Sequence, residues 1–145
     1  MLKSEYPRPA YTADNLIILV PDDVDEYQKI LLIKRSNDPF KDCWALPGGY
    51  VNLGETSEDA ARREALEETG LKLPGLPQLV GVFDEPDRDP RGWVVSAAYA
   101  WFLPQLLLPF VRAGDDAKDA QWFSVNELPE LAFDHLKIIN KHLKR

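Results

Sequence analysis

The chain has 145 residues, 45% of them hydrophobic, enough for one domain spanning residues 1–145 with a sizeable core. Its 24 acidic residues against 17 basic ones leave a formal net charge of -7, which speaks against nucleic acid or an anionic membrane surface as a partner held by the overall field. Cys43 stands alone and cannot close an intramolecular disulfide, and the start MLKSEYPRPA lacks the apolar core of a signal peptide, so a reducing, cytoplasmic location is expected.

Runs rich in Ile, Leu and Val predict strands over 12–20 and 29–34, joined by the acidic loop PDDVDEYQ. CWALPGGYVNLGE follows as a short strand broken by Pro47, Gly48 and Gly49. The pattern predicts a helix over 57–69, turn residues at Pro74, Gly75 and Pro77, strands over 78–84 and 93–103, a short strand over 121–123 and a helix over 135–143. Residues 93–111, WVVSAAYAWFLPQLLLPFV, carry no charge and are long enough to be weighed as a membrane span. Pro104, Gln105 and Pro109 break such a helix. Bulky Trp93, Val95, Tyr99, Trp101 and Leu103 alternate with small Ser96, Ala98 and Ala100, as in a strand buried on both faces. The apolar tail 106–111 reads as a strand edge or a dimer contact. Strands mixed with two helices give an α/β or α+β class, a sheet covered by helices.

The first helix is well specified at its start. Thr56 and Ser57 both suit an N-cap, Thr56 with Asp59 forms a near capping box, and Glu55, Glu58 and Asp59 fit the positive end of the helix dipole. Glu58 with Arg62 and Asp59 with Arg63 are i,i+4 pairs in the favoured order, and Gly70 supplies a left-handed C-terminal position. Ala61 and Ala65 share a small face that can lie close to a sheet.

Its end breaks the same rules. Glu64, Glu67 and Glu68 repel one another at i,i+3 and i,i+4, and two of them occupy the last turn, where the dipole disfavours carboxylates. A solvated acidic face is the ordinary explanation for a glutamate pair. Here three carboxylates converge behind Glu55, and Gly48–Gly49 offers backbone without side chains, so the pattern points to a cation. Oxygen donors alone select a hard ion, Mg²⁺ or Mn²⁺. Only His135 and His142 accompany Cys43, which argues against zinc and against a Ser/His/Asp or Cys/His nucleophile.

Gly49, Glu55, Arg63-Glu64, Ala65, Glu67-Glu68, Gly70 and Leu71 stand at the spacings of the Nudix hydrolase signature, which this chain resembles, with Ala65 small where a larger aliphatic is common. WALPGG and WFSVNEL (122–128) look like flanks of the same family. The resemblance implies a mixed sheet sandwiched between helices and metal-dependent cleavage of a nucleoside diphosphate linked to another group. It also implies Gly48 (through its carbonyl), Glu64, Glu67 and Glu68 as metal ligands, with Arg63 and Glu55 as an orienting pair. Metals neutralise a pyrophosphate and acidify water, which accounts for an acidic protein acting on an anion. The resemblance further implies a general base that is Glu64 or an acid of AGDDAKDAQWF, where Asp115, Asp116 and Asp119 are candidates and a solvated turn is the plain alternative.

Residues 81–96, GVFDEPDRDPRGWVVS, resemble the ADP-ribose pyrophosphatase branch, with Pro86 fifteen positions beyond Leu71, as do AGDDAKDA and LAFDH (131–135). Arg88 and Arg91 are candidate substrate contacts, as bidentate donors to phosphate or ribose, unless they neutralise Asp87 and Asp89 within a charged hairpin. Trp93 replaces a polar or basic residue common in relatives. Tyr11, Trp44 and Phe83 are candidates to stack on adenine. The expected activity is Mg²⁺-dependent hydrolysis of ADP-ribose to AMP and ribose 5-phosphate. The alternatives are another nucleoside diphosphate sugar, a dinucleotide or an oxidised nucleotide as substrate, or a nonhydrolytic ADP-ribose sensor. Intact glutamates and the absence of a DNA-binding extension after Arg145 favour the enzyme. A homodimer is compatible with the resemblance but fixed by no residue.

Overall fold

The computed structural model describes residues 6–105, 111, 113–114 and 117–145. The elements in chain order are β1 (Ala10–Val20), β2 (Lys29–Arg35), β3 (Trp44–Ala45), β4 (Gly48–Tyr50), α1 (Ser57–Thr69), β5 (Gln78–Phe83), β6 (Val94–Pro104), β7 (Ala117–Ser124) and α2 (His135–Leu143). Among the described residues they form one mixed sheet, ordered β3-β2-β1-β6-β5, with β4 joined to β1 and β7 to β2.

β1 explains why the sheet carries a helix on each face. Successive strand residues point to opposite faces, and β1 is apolar on both. Ala13, Ile17 and Leu19 pack with Leu31, Trp101 and the small face Ala60, Ala61 and Ala65 of α1. Leu16 and Ile18 pack with Ile30, Leu32 and with Ile138 and Ile139 of α2. The expected sandwich is what forms, and truncating a side chain such as Ile17 to Ala would cost about 2–5 kcal/mol.

One edge of β1 is filled along its length by parallel β6, from Ala10↔Val94 to Val20↔Pro104. The opposite edge is divided: β4 pairs at Thr12, Ala13 and Asp14, and β2 at Ile18 and Leu19. At the fork between them the Asn15 N–H donates to the Pro47 carbonyl at 2.8 Å. The buried Asn15 side chain donates to Pro47 O (3.2 Å) and Ala61 O (2.9 Å) and accepts from Trp101 Nε1 (2.8 Å). One fully used amide thus ties β1, the Pro47 turn, α1 and β6 together, as a buried polar group must be to be tolerated.

Residues 94–104 form the strand expected there, with Ala97, Ala98, Ala100 and Trp101 buried, and among the described residues no helix is long and apolar enough to cross a membrane. Of the apolar tail, 106–110 lie outside the described residues, and Val111 packs against the α1-side core. β7 is longer than the three residues expected, because AKDA has little strand character of its own and is held by pairing with β2 through Arg35↔Ala117.

α1 starts at Thr56, whose Oγ1 accepts from Asp59 N at 3.1 Å, and ends at Gly70 with φ 73°. Glu58 and Arg62 meet at 3.5 Å. The expected Asp59–Arg63 pair is corrected: Arg63 turns instead to Glu55, Glu64 and Glu67, a stronger set of charge-assisted bonds than one exposed i,i+4 contact.

Candidate active site

The site is built around two glycines. Asp14 faces Gly48 and Ala13 faces Gly49 in the β1–β4 register. A Cβ on Gly48 would collide with the Ala13 carbonyl oxygen and come within 2.6 Å of Asp14 Oδ1. One on Gly49 would lie 2.5 Å from the Glu64 carboxyl group. The missing side chains therefore let the last turns of α1 close on the strand. The Gly48 N–H donates to Glu68 Oε1 at 2.8 Å, and Glu68, although a carboxylate, is buried. The Glu68 carbonyl, one of those a helix leaves open at its end, accepts from Gly114 N at 3.1 Å.

Arg63 organises the glutamates. It grips Glu55 with two bonds, Nε to Oε2 at 2.9 Å and Nη2 to Oε1 at 3.0 Å. Its Nη1 donates to Glu64 Oε1 at 2.8 Å and to Glu67 Oε2 at 3.4 Å, and Nη2 also reaches the Tyr50 carbonyl at 2.9 Å. The hydrogen bond from Arg63, with a further one from Asn52 N, holds the Glu55 carboxyl down to about 2. Glu55 in turn raises Arg63 above its ordinary value, more than burial lowers it.

A cavity of about 410 Å³ opens here, lined by Gly48, Gly49, Glu64 and Glu68 together with Asp14, Tyr50, Arg88, Arg91, Phe133 and His135. Glu67 is not in the lining; its side chain is 42% exposed and leans on Arg63. Among the described residues no three His, Cys, Asp or Glu side chains converge on a ready ion site. The donors nevertheless suit a hard divalent cation. Glu64 fills the space Gly49 leaves, Glu68 sits against Gly48, and both present oxygens.

Arg88 and Arg91 both line the cavity, and the charged hairpin neutralises itself only in part. Arg88 forms a two-bond pair with Asp134 (2.9 and 2.7 Å), and Arg91 with Asp89 (Nη2 to Oδ2 at 2.7 Å). Burial pushes Asp89 up, yet the bonds from Arg91 outweigh it and leave the carboxyl lowered. Pro86 is exposed and outside the lining. Asp119 lies on β7 with its oxygens bonded to Ala120 N (2.8 Å) and Gln121 Nε2 (2.6 Å), also outside it, while Asp115 and Asp116 lie outside the described residues.

None of the three aromatic candidates for adenine stacking lines this cavity. Trp44 packs on Phe123, Phe83 lies under Lys141, and neither they nor Tyr11 line the cavity. Tyr50 and Phe133 do, and the Arg91 guanidinium lies over both rings, 5.7 and 5.0 Å from their centres. Phe133 has φ 52°, a left-handed backbone that is costly for a bulky residue and gathers at functional sites.

Asp14 and His135 went unread in the sequence. Asp14 Oδ2 accepts from Ser96 Oγ at 2.5 Å, and His135 Nδ1 accepts from the Leu46 N–H at 3.0 Å. Burial lowers the His135 pKa, with only partial opposition from Asp14 and Asp134. The available signals were a charge, Asp14, inside a largely apolar strand, and the LAFDH stretch that ends in His135.

A NUDIX domain model matches residues 13–142. The chain belongs to the Nudix family. It is 49% identical to an ADP-ribose pyrophosphatase of Methanocaldococcus jannaschii, over 96% of this chain and 76% of that protein. It is 36% identical to the ADPR responsive transcriptional repressor NtrR of Acinetobacter baylyi, over 99% of this chain but 56% of the repressor. Among solved structures, the NUDIX domain of Shewanella oneidensis NrtR complexed with ADP ribose superposes with a TM-score of 0.84 at 27% identity, covering 97% of this chain and 90% of that one. Dependence on a divalent metal is general among Nudix enzymes, and the oxygen donors of this site accord with it.

Proposed function

We propose that this Nudix chain, as one domain of residues 1–145, hydrolyses ADP-ribose to AMP and ribose 5-phosphate with Mg²⁺. The observation that carries the hydrolase is the placement of Glu64 and Glu68 against the side-chain-free Gly48–Gly49 pair of β4 in a cavity that also holds Arg88 and Arg91. The substrate is supported by the 49% identity to the M. jannaschii pyrophosphatase.

Glu64, Glu67, Glu68 and the Gly48 carbonyl would hold the ion. When bound, it supplies positive charge to the pyrophosphate and a more acidic water. Arg63, fixed by Glu55, sets the direction in which Glu64 and Glu67 present their oxygens. Arg91 keeps Nη1 for a phosphate or ribose oxygen while Asp89 holds its other nitrogens. In the reaction water oxygen attacks one phosphorus, the bond from that phosphorus to the bridging oxygen breaks, and the water proton passes to Glu64.

A second reading, a nonhydrolytic ADP-ribose sensor, is supported by the similarity to the A. baylyi repressor. Intact glutamates favour the hydrolase. The test is a panel of ADP-ribose, NADH, diadenosine polyphosphates, nucleoside diphosphate sugars and nucleoside triphosphates with Mg²⁺, products separated by chromatography. AMP and ribose 5-phosphate formed fastest from ADP-ribose, and stopped by chelator, is the expected result. Tight binding of ADP-ribose without turnover of any compound would establish the sensor instead.

A further inference from the structure

Asp14 and His135 form a buried polar pair for which the hydrolytic step above has no use. They are 7% and 5% exposed, and both line the cavity. Each has one end fixed: Asp14 Oδ2 by the Ser96 hydroxyl, His135 Nδ1 by the Leu46 N–H. With Nδ1 an acceptor, the proton of the neutral imidazole sits on Nε2. The remaining ends, Asp14 Oδ1 and His135 Nε2, stand 3.8 Å apart, too far for a hydrogen bond to each other. Among the described residues neither has another hydrogen-bond partner. An acceptor and a donor thus face the cavity side by side.

We infer that Asp14 Oδ1 and His135 Nε2 form a subsite for one sugar hydroxyl beside the scissile pyrophosphate. A hydroxyl both accepts and donates at a single oxygen, and one oxygen at ordinary hydrogen-bond length from both atoms spans a 3.8 Å gap. A phosphate oxygen has no proton to give and would be set against the Asp14 carboxylate. The place follows from the register: Asp14 lies opposite Gly48, whose N–H holds Glu68, so the hydroxyl would sit one strand away from the carboxylates assigned to the ion. This inference rests on the reading of the substrate as a nucleoside diphosphate joined to a sugar, and it makes the pair a device for recognising that sugar.

The test compares ADP-ribose with an analogue whose distal ring is the same tetrahydrofuran without hydroxyls. Asp14→Asn keeps the shape and an acceptor for Ser96 but turns a donor towards His135. It is expected to raise KM for ADP-ribose about tenfold, the worth of a hydrogen bond to a charged group, with kcat and the KM of the analogue within about twofold of wild type. An equal loss on both substrates, or a fall in kcat alone, would overturn the subsite. A second measurement needs no variant: the His135 Nε2 resonance of the wild-type protein, in chelator, titrated with ribose 5-phosphate and with its hydroxyl-free analogue. A shift with the first only supports the subsite; no shift, or the same shift with both, overturns it. That titration decides the matter if Asp14→Asn fails to fold. It also does so if the wild type proves unable to hydrolyse ADP-ribose, an outcome that removes the proposed substrate and not the subsite.

Discussion

The Gly48 backbone N–H donates to Glu68 Oε1 at 2.8 Å, joining the first residue of β4 to the last turn of α1. A carboxamide oxygen can accept the same bond. Glu68→Gln should therefore keep the fold, with an unchanged circular dichroism spectrum and urea midpoint, while removing a charge that the ion needs. Turnover is expected to fall by about a hundredfold or more, beyond the 10–100-fold typical of outer partners of a metal site. Wild-type turnover in this variant would remove Glu68 from the ion site.

The two glycines should fail in different ways. A methyl group on Gly48 meets the Ala13 carbonyl, which is backbone and cannot swing aside, so Gly48→Ala should lower stability by about 1–3 kcal/mol. A methyl group on Gly49 meets the end of the Glu64 side chain, which can move. Gly49→Ala should thus unfold near the wild-type urea midpoint yet lose kcat/KM, because Glu64 is displaced. Similar stability losses in both variants would contradict this division.

Arg63→Ala should release Glu55. Its carboxyl, held at about 2 in the folded protein, would return towards the ordinary 4.5, visible in an NMR titration of the side-chain carbon. Since the folded value is depressed, the pair stabilises the protein fully above the ordinary value, and that contribution disappears as pH falls towards 2. Wild type should lose stability through this window more steeply than the variant. Glu64 and Glu67 lose their guide at the same time, so the rate should drop roughly 10–100-fold. A fully active, equally stable Arg63→Ala protein would refute the orienting role.

His135 predicts a second pH dependence, nearer neutrality. Burial keeps its folded pKa below the ordinary 6.5, so the unfolded chain takes up the proton first as pH falls. Stability is then highest above 6.5 and declines below it. Asp14 and Asp134 oppose the shift, Arg88 and Arg35 add to it, and the half-buried His142 contributes a slope of the same sign. The measurable quantity is the difference between urea midpoints at about pH 7.5 and about pH 5.5. It should be smaller in His135→Gln than in wild type.

What could be read from sequence was what is local. α1 and α2 begin and end where expected, because a cap such as Thr56 and a left-handed Gly70 act within a few residues. Glu64 and Glu68 share one helix face by spacing alone. Residues joined only by the sandwich escaped: His135 reaches Leu46 and Asp14 because α2 and β1 pack, and Phe133 meets Tyr50 across Arg91 through the same packing. Arg88 illustrates the point most simply. Its sequence neighbours Asp87 and Asp89 were the obvious partners, but Asp134, far along the chain, takes both of its bonds.

The divided edge of β1 has a consequence for how such a protein can change over generations. With β6 matched along one side, and β4 and β2 clamped at opposite ends of the other, β1 cannot gain or lose a residue between Asp14 and Ile18 without exchanging its two faces and carrying Gly48 away from Glu68. Length can vary instead in the connections, such as the acidic 21–28 segment and the 84–93 turn that carries Arg88 and Arg91. The part that would split a pyrophosphate is locked to the sheet, while Arg88 and Arg91, proposed above as substrate contacts, sit on a segment whose length can vary.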